Sequence, residues 1–309
     1  MLLWLALFLA AGPPRSAADL AASGWQAFEQ GRLQQAEHDL EQACKLAPAN
    51  SSFALALGQV YLSAGKPKLA IPQFEKAARG LGNPPDVRFT LAQAYQAVDE
   101  DAKAVAALAG PVPAGALSGP WRFTRAFSLF RLGRYQDAEP VFRALLDSPP
   151  LEAPAHFFTA NCLYARGQFE QALPFYEKAV AAGDRPDNKA FNAYLYNQGL
   201  ALYQLNRFDA AAAAFRGSIE RFSKDPLPWL FLGRCEAELG RHAEAIAALE
   251  ESIRLQPGLR LAYYQLARLH SQHGDSKRAD ELFQKVTGLR QQELEREEQL
   301  ARRLKVSTK

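Results

Sequence analysis

The segment from Pro226 to Gly258 has its apolar residues at helical spacing on both sides of Gly240. Such spacing puts apolar side chains on one face of a helix and predicts two short amphipathic helices. Gly240 can take the left-handed conformation that ends a helix, and Pro257 prevents the second helix from continuing. The positions that carry the pattern are Trp229, Leu232, Gly233, Ala245, Leu249 and Leu255. The segment therefore predicts a helix–turn–helix unit.

This unit recurs along most of the chain at a fixed interval. Equivalent starts fall 34 residues apart, except that five additional residues precede the sixth start. The eight starts are Ala17, Ser51, Pro85, Gly119, Ala153, Asn192, Pro226 and Arg260. A period of this length predicts a solenoid in which each unit packs on its neighbours.

Three positions of the unit have the same character in every copy. The eighth position is always Gly or Ala, and the twentieth is always Ala. The twenty-fourth position holds the large residues Leu40, Phe74, Leu108, Phe142, Tyr176, Phe215, Leu249 and Phe283. Small residues let two helices approach closely, and the large residue fills the space beside their crossing. The pattern therefore predicts one repeated helix–helix contact.

These marks resemble the tetratricopeptide repeat, with Trp229, Leu232 and Gly233 as the best single match to its W-x2-L-G signature. The resemblance implies an all-α fold, a right-handed superhelical solenoid of antiparallel helix pairs with a concave groove. Glu236 departs from the pattern, because the family usually has Tyr at that position.

The predicted organisation has three parts. Residues 1–18 form a predicted signal peptide, residues 19–293 the eight-repeat solenoid, and residues 294–309 a charged C-terminal helix or tail. The solenoid is expected to be irregular at 110–118, where Gly and Pro cluster, and at 181–191, which contains the insertion. The second helix of the third unit should end near Leu108 for the same reason.

The first twelve residues are apolar and too few to span a bilayer as a helix, which needs about 20 residues. Pro13 and Pro14 follow, and then a small-residue site before Asp19, as in a cleaved secretory signal. The prediction is export to the periplasm or the medium if this signal is real, and a cytoplasmic protein otherwise. An uncleaved anchor and a mis-assigned start are the two alternatives, and membrane association is expected only if the segment is retained.

The composition argues against several function classes. A net charge of +3 is too small to indicate nucleic-acid binding. No nucleophile–base motif or phosphate-binding loop is present, and His270 and His273 lack a third metal ligand nearby. We therefore expect no enzyme activity, metal or cofactor. Cys44, Cys162 and Cys235 lie in well-separated units, so no disulfide within the chain is expected.

The resemblance also implies which side chains face the concave groove. In units four to six these positions form an aromatic strip, and aromatic residues are enriched at binding hot spots. In units seven and eight they include Leu230, Arg234, Tyr264 and Arg268. The candidate groove residues are Phe123, Phe127, Phe130, Phe157, Asn161, Tyr164, Tyr196, Asn197 and Tyr203. Packing of the rings between repeats is the alternative interpretation of the strip.

Asn161 and Asn197 occupy the two Asn positions with which chaperone-tail-binding members of the family clamp a terminal carboxylate. The basic positions of that clamp hold Phe157, Leu227 and Phe231 instead. The resemblance therefore implies hydrogen bonds to a peptide backbone but no capture of an acidic chain terminus. Two solvated Asn side chains are the alternative interpretation.

Two functions remain open at this stage. The first is a non-catalytic scaffold that binds a peptide segment of a partner protein in the groove. The second is a structural or assembly spacer of the cell envelope that acts through its convex face or its C-terminal helix. That helix has a thin apolar stripe of Leu289, Leu294, Leu300 and Leu304, and its expected role is to cap the last repeat. A helix that binds a partner or pairs with itself is the alternative.

Overall fold

The computed structural model describes residues 15–115, 118–185 and 188–307, which form sixteen α-helices and no strand. They belong to two compact units, Met1–Leu145 and Leu146–Lys309. In the first unit the helices are α1 (Ala17–Glu29), α2 (Leu33–Leu46), α3 (Ser51–Ser63), α4 (Pro67–Leu81), α5 (Pro85–Gln96), α6 (Asp101–Ala107), α7 (Ser118–Arg131) and α8 (Tyr135–Arg143). In the second unit they are α9 (Glu152–Ala165), α10 (Phe169–Gly183), α11 (Phe191–Gln204), α12 (Phe208–Arg221), α13 (Pro226–Glu238), α14 (His242–Leu255), α15 (Arg260–Gln272) and α16 (Ser276–Ser307).

Each predicted repeat is a pair of helices packed on each other, and consecutive pairs within a unit pack in turn. The first helix of every pair begins at the predicted start or one residue before it. The fold is therefore an all-α solenoid of helix pairs, as the repeat period predicted. Four repeats lie in each unit.

The repeated core positions explain why the pairs pack alike. The Ala residues at the twentieth position are buried in all eight repeats. A Cβ atom added at Gly199 would lie 2.7 Å from the Phe215 ring, and one at Gly233 would lie 2.7 Å from Cγ of Leu249. The small residue at the eighth position therefore makes room for the large residue at the twenty-fourth.

Helix ends follow the predicted turn chemistry. The turn glycines Gly31, Gly65, Gly133, Gly167, Gly240 and Gly274 all have positive φ. Asn206 takes the same conformation at φ 57°, and Asp99 does so at φ 61° in the third repeat. Helix α6 ends at Ala107, as the Gly- and Pro-rich segment after it predicted. Within the two irregular segments, residues 116–117 and 186–187 lie outside the described part of the chain.

A side-chain hydrogen bond connects neighbouring repeats at two junctions of the first unit. The Tyr61 hydroxyl donates to Oε1 of Glu41 at 2.7 Å, and the Tyr95 hydroxyl donates to Oε1 of Glu75 at 2.7 Å. In both cases the eleventh residue of one repeat reaches the twenty-fifth residue of the repeat before it. These bonds satisfy the polar tips of two tyrosines that are otherwise buried.

The seventh repeat makes the same connection with reversed chemistry. Glu236 takes the place of Tyr and is only 1% exposed, and the twenty-fifth residue of the sixth repeat is Arg216 instead of Glu. The Arg216 guanidinium donates to Oε1 of Glu236, and Nη1 of Arg241 lies 3.3 Å from its Oε2. The departure of Glu236 from the family pattern is therefore compensated by a matching change in its partner.

The chain ends also differ from a simple array. Residues 1–14 of the predicted signal peptide lie outside the described residues, and Ser16 caps α1 through a bond from the Asp19 amide to its hydroxyl. Helix α16 continues without a break across the predicted boundary at 293–294. Its first part is the second helix of repeat eight, and Glu293 of this part forms a 3.2 Å salt bridge with Arg260 on α15. The helix then continues beyond Glu293 to Ser307.

Within the described residues, none of the three cysteines forms a disulfide. Cys162 and Cys235 are fully buried and Cys44 is half-buried. Burial raises the pKa of Cys235 to about 12, so its thiol stays protonated and serves as a small packing group.

Candidate functional site

In the first unit, the candidate residues lie together on helix α7. Phe123, Phe127 and Phe130 are half-buried. The rings of Phe123 and Phe127 stack with centroids 6.4 Å apart, and Phe130 meets the edge of Tyr135 at 5.3 Å. Each of these three rings therefore packs against a neighbouring ring on one side and keeps part of its surface exposed for a partner.

Phe157 differs from the other rings of the strip. It is only 9% exposed and its ring centroid lies 4.7 Å from that of Tyr194. The prediction that Phe157 opens onto the groove is therefore wrong. Leu230 is likewise buried, at 1% exposed, although its position predicted a groove-facing side chain. Both side chains fill the space between consecutive first helices.

The three candidate tyrosines of the second unit are half-buried. Tyr164 packs its edge on Phe169, with centroids 5.0 Å apart. Tyr196 and Tyr203 contact the Phe231 ring at 5.9 Å and 6.1 Å, two turns apart on α11. Neighbouring rings hold each tyrosine in place, which lowers the entropy cost of using it as a contact.

The two asparagines have their amide groups oriented by bonds within the chain. Oδ1 of Asn161 accepts from the hydroxyl of the buried Tyr176 at 2.6 Å, so its Nδ2 donors point away from that bond. Nδ2 of Asn197 donates to the carbonyl of Ala193 at 2.8 Å, which leaves its Oδ1 as an acceptor. The pair therefore presents one donor group and one acceptor group, a combination that suits a peptide backbone.

A cavity of about 540 Å³ lies at the start of α11, beside the five-residue insertion. Its wall includes Tyr196 together with Phe191, Phe222 and Arg221. Phe222 is 52% exposed, and the Arg221 guanidinium lies 4.6 Å from the Phe191 ring. The cavity is the size of an ordinary small-ligand or side-chain site.

The family pattern did not point to this cavity, because most of its wall comes from the end of α12 and from the insertion. The insertion itself was the available signal, since an irregular segment next to a groove-facing tyrosine is a common place for a binding loop.

A family model for the tetratricopeptide repeat matches residues 22–87, 123–188 and 196–259, and a second model of the same description matches 261–293. Together they cover more than half of the chain. The chain belongs to the tetratricopeptide repeat family. Proteins of this family bind protein or peptide partners and are generally non-catalytic, so the chain is a protein-interaction scaffold.

Solved structures support the same fold. The C-terminal part of a TPR repeat-containing protein from Cytophaga hutchinsonii is 18% identical with a TM-score of 0.60, covering 78% of this chain and 95% of that one. MamA from Desulfovibrio magneticus RS-1 is 17% identical with a TM-score of 0.52, covering 56% of this chain and 96% of that one. No curated protein sequence gives a significant match.

Within this tetratricopeptide solenoid, the clamp positions that hold basic residues in chaperone-tail binders are apolar. Phe157 is buried, Phe231 is half-buried and Leu227 is 38% exposed. In the described part of the chain, no group of three His, Cys, Asp or Glu side chains could hold a metal ion. The same residues include no helix that is both long and apolar enough to cross a membrane.

Proposed function

We propose that the second unit binds an extended peptide segment of a partner protein over helices α9, α11 and α13. The observation that carries the proposal is the pair of bonds that orient Asn161 and Asn197, which leave one amide donor group and one amide oxygen outside these bonds. A peptide bond offers one acceptor and one donor, so the two amides can hold a backbone whatever its sequence. Binding, and not catalysis, is the proposed activity.

The rings beside the two asparagines supply the contact area. Tyr164, Tyr196 and Tyr203 are half-buried and supported by neighbouring rings, and the cavity next to Tyr196 accepts an apolar side chain. Rigid aromatic contacts of this kind account for much of the affinity at peptide-binding surfaces. In the first unit, Phe123, Phe127 and Phe130 form a second surface of the same type, which we propose as a separate peptide contact of that unit.

Replacing Asn161 with Asp tests the proposal. The carboxylate still accepts from Tyr176 but has no donor for a peptide carbonyl, so peptide affinity should fall about tenfold. Peptides would be selected from a random display library on the purified full chain, and their binding measured by fluorescence polarisation. Asn50→Asp is the matched control, because Asn50 only accepts bonds as the N-cap of α3 and Asp does so equally well.

Two further variants test the rings. Tyr164→Ala should weaken the binding of peptides that contact the second unit, and Phe127→Ala the binding of peptides that contact the first. Neither variant should lower helicity by circular dichroism. The proposal is wrong if the library yields no binding peptide, or if Asn161→Asp binds as tightly as the parent chain.

One observation favours the second candidate, an assembly spacer. Beyond Glu293, helix α16 has Leu294 at 47% and Leu300 at 59% exposed, on an otherwise charged surface. Deleting residues 291–309 distinguishes the assembly spacer from the peptide-binding scaffold. If the deletion abolishes assembly and leaves peptide binding intact, the spacer function is favoured. If neither assembly nor peptide binding changes, peptide binding in the groove is favoured.

We also propose that the protein is exported, and the support for this is the apolar segment at residues 1–12. N-terminal sequencing of the protein from its native host should find a start near Asp19. A start at Met1 would instead favour a retained segment.

A further inference from the structure

A second cavity of the same unit has a different character from the one beside the insertion. It measures about 240 Å³ and lies between α11, α13 and α15. Its polar wall is formed by Tyr203, Arg234, Glu238, Gln265, Arg268 and Gln272. All three helices are first helices of their repeats, so the cavity belongs to the same surface as Asn161 and Asn197.

Arg234 is held in place by stacking. Its guanidinium lies 4.6 Å from the Tyr203 ring and 5.0 Å from the Phe231 ring. Stacking on rings orients the plane of a guanidinium and leaves its edge donors unused. In the described part of the chain, this guanidinium forms no salt bridge or side-chain hydrogen bond, so its N–H groups are available to a ligand.

Arg268 occupies the same position one repeat later and is exposed. It also has no acidic partner among the described side chains, unlike Arg216, Arg221, Arg241 and Arg260 of the same unit, each of which pairs with a carboxylate. Arg234 and Arg268, neither of which forms a salt bridge with a described side chain, therefore face one small cavity, with the Gln265 and Gln272 amides as additional donors.

We infer that this cavity binds an acidic side chain, Asp or Glu, of the partner peptide. The inference rests on the proposed function and adds the chemistry of one peptide residue. Two guanidinium groups and two amides match a carboxylate, which accepts several charge-assisted hydrogen bonds. Glu238 brings the net charge of the wall to about +1, which suits a single carboxylate better than a doubly charged phosphate group.

The position of the two cavities on α11 sets a minimum spacing. Tyr196 lines the first cavity and Tyr203 the second, seven residues apart on one helix face. Seven residues of helix rise by about 10 Å, and an extended peptide covers this distance in about three residues. The acidic residue should therefore lie three or more positions from the apolar residue that enters the first cavity.

The test uses peptides selected from a random library on the full chain. Each peptide is synthesised in three forms that differ only at the Asp or Glu position. The acidic form keeps Asp or Glu, the amide form has Asn or Gln, and the third form has phosphoserine. The amide form should bind the parent chain about tenfold more weakly than the acidic form does. On the double variant Arg234→Gln, Arg268→Gln the two forms should differ by less than about twofold, because the interaction between the carboxylate and the two arginines is lost. Arg278→Gln, outside the cavity in the same unit, is the control and should behave as the parent.

A second variant guards against misfolding. Arg268 is exposed, so Arg268→Glu should keep its helicity and shift selection from acidic to basic residues. The inference is overturned if the selected peptides carry no acidic residue. It is also overturned if the amide form loses the same affinity on the parent chain as on the Arg234→Gln, Arg268→Gln variant, or if the phosphoserine form binds more tightly than the acidic form. If no peptide is selected, or Asn161→Asp has no effect, the proposed function fails and the inference falls with it.

Discussion

Replacing Arg216 and Arg241 together with Ala should lower the free energy of unfolding by much more than the loss of an exposed ion pair does. The Glu236 carboxylate is 1% exposed, and these two guanidinium groups are its ionic partners in the structure. Without them the fold must bury a carboxylate that has no ionic partner. Urea unfolding followed by circular dichroism measures the loss, and amide exchange should place it in α12–α14.

An exchange of partners provides the rescue. Arg216→Glu alone sets two carboxylates against each other and should be at least as damaging as the double Ala variant. Adding Glu236→Tyr should restore most of the stability, because it recreates the bond that Tyr61 makes to Glu41. Arg254→Ala, which removes an exposed pair with Glu251, should lower the free energy of unfolding only slightly. A double Ala variant no worse than this control would show that Glu236 needs no partner.

Raising the pH above 10 should unfold the chain steeply. Burial, together with the adjacent carboxylates of Glu41 and Glu75, raises the pKa of Tyr61 and Tyr95 above the usual 10, and burial raises the pKa of Tyr176 similarly. Burial also raises the pKa of Tyr196 to about 12. Between pH 10 and the folded-state pKa, the unfolded chain has released phenolic protons that the folded chain retains. Stability is therefore complete below pH 10 and falls as pH rises.

The slope is the measurable quantity. Each such tyrosine contributes at most about 1.4 kcal/mol per pH unit, so the slope from Tyr61 and Tyr95 together is at most about 3 kcal/mol per pH unit in the first unit. Urea midpoints from pH 8 to 12 test this. The double variant Tyr61→Phe, Tyr95→Phe should flatten the first-unit slope, whereas Tyr264→Phe, at a 41% exposed position, should not. An equal slope in all three chains would contradict the assignment.

Most of the fold could be predicted from the sequence because the rules involved are local. The starts of the first helices depend on the period, and the turn at Asn206 depends on one residue that tolerates positive φ. The recurring Ala and large residue specify a contact between helices only a few residues apart. Nothing in these features depends on distant parts of the chain.

The candidate site was less predictable, since exposure depends on contacts between repeats. Phe157 and Tyr164 occupy equally groove-facing positions in the pattern, yet Phe157 is buried and Tyr164 is half-exposed. The reason is Tyr194, which lies near the start of α11 after the insertion and packs on the Phe157 ring. A five-residue insertion with no counterpart in the other repeats gives no sequence rule for where that ring will lie.

The compensated pair at Glu236 was visible in the sequence but not in a single repeat. In the aligned copies the eleventh position is Tyr only at Tyr61 and Tyr95, and Glu236 is the one carboxylate at that position. Only when the eleventh residue is compared with the twenty-fifth residue of the preceding copy does Arg216 appear as its complement. Junctions between repeats, and not the repeats themselves, carry this information.

The junction chemistry also limits how such an array can be rearranged in evolution. If the seventh repeat were copied behind the first or second, Glu236 would face Glu41 or Glu75, and two carboxylates would share a buried contact. A duplication of the seventh repeat to either of these places must therefore copy the end of the sixth repeat with it to keep Glu236 paired. The residue pairs at the junctions therefore restrict which repeats can follow one another.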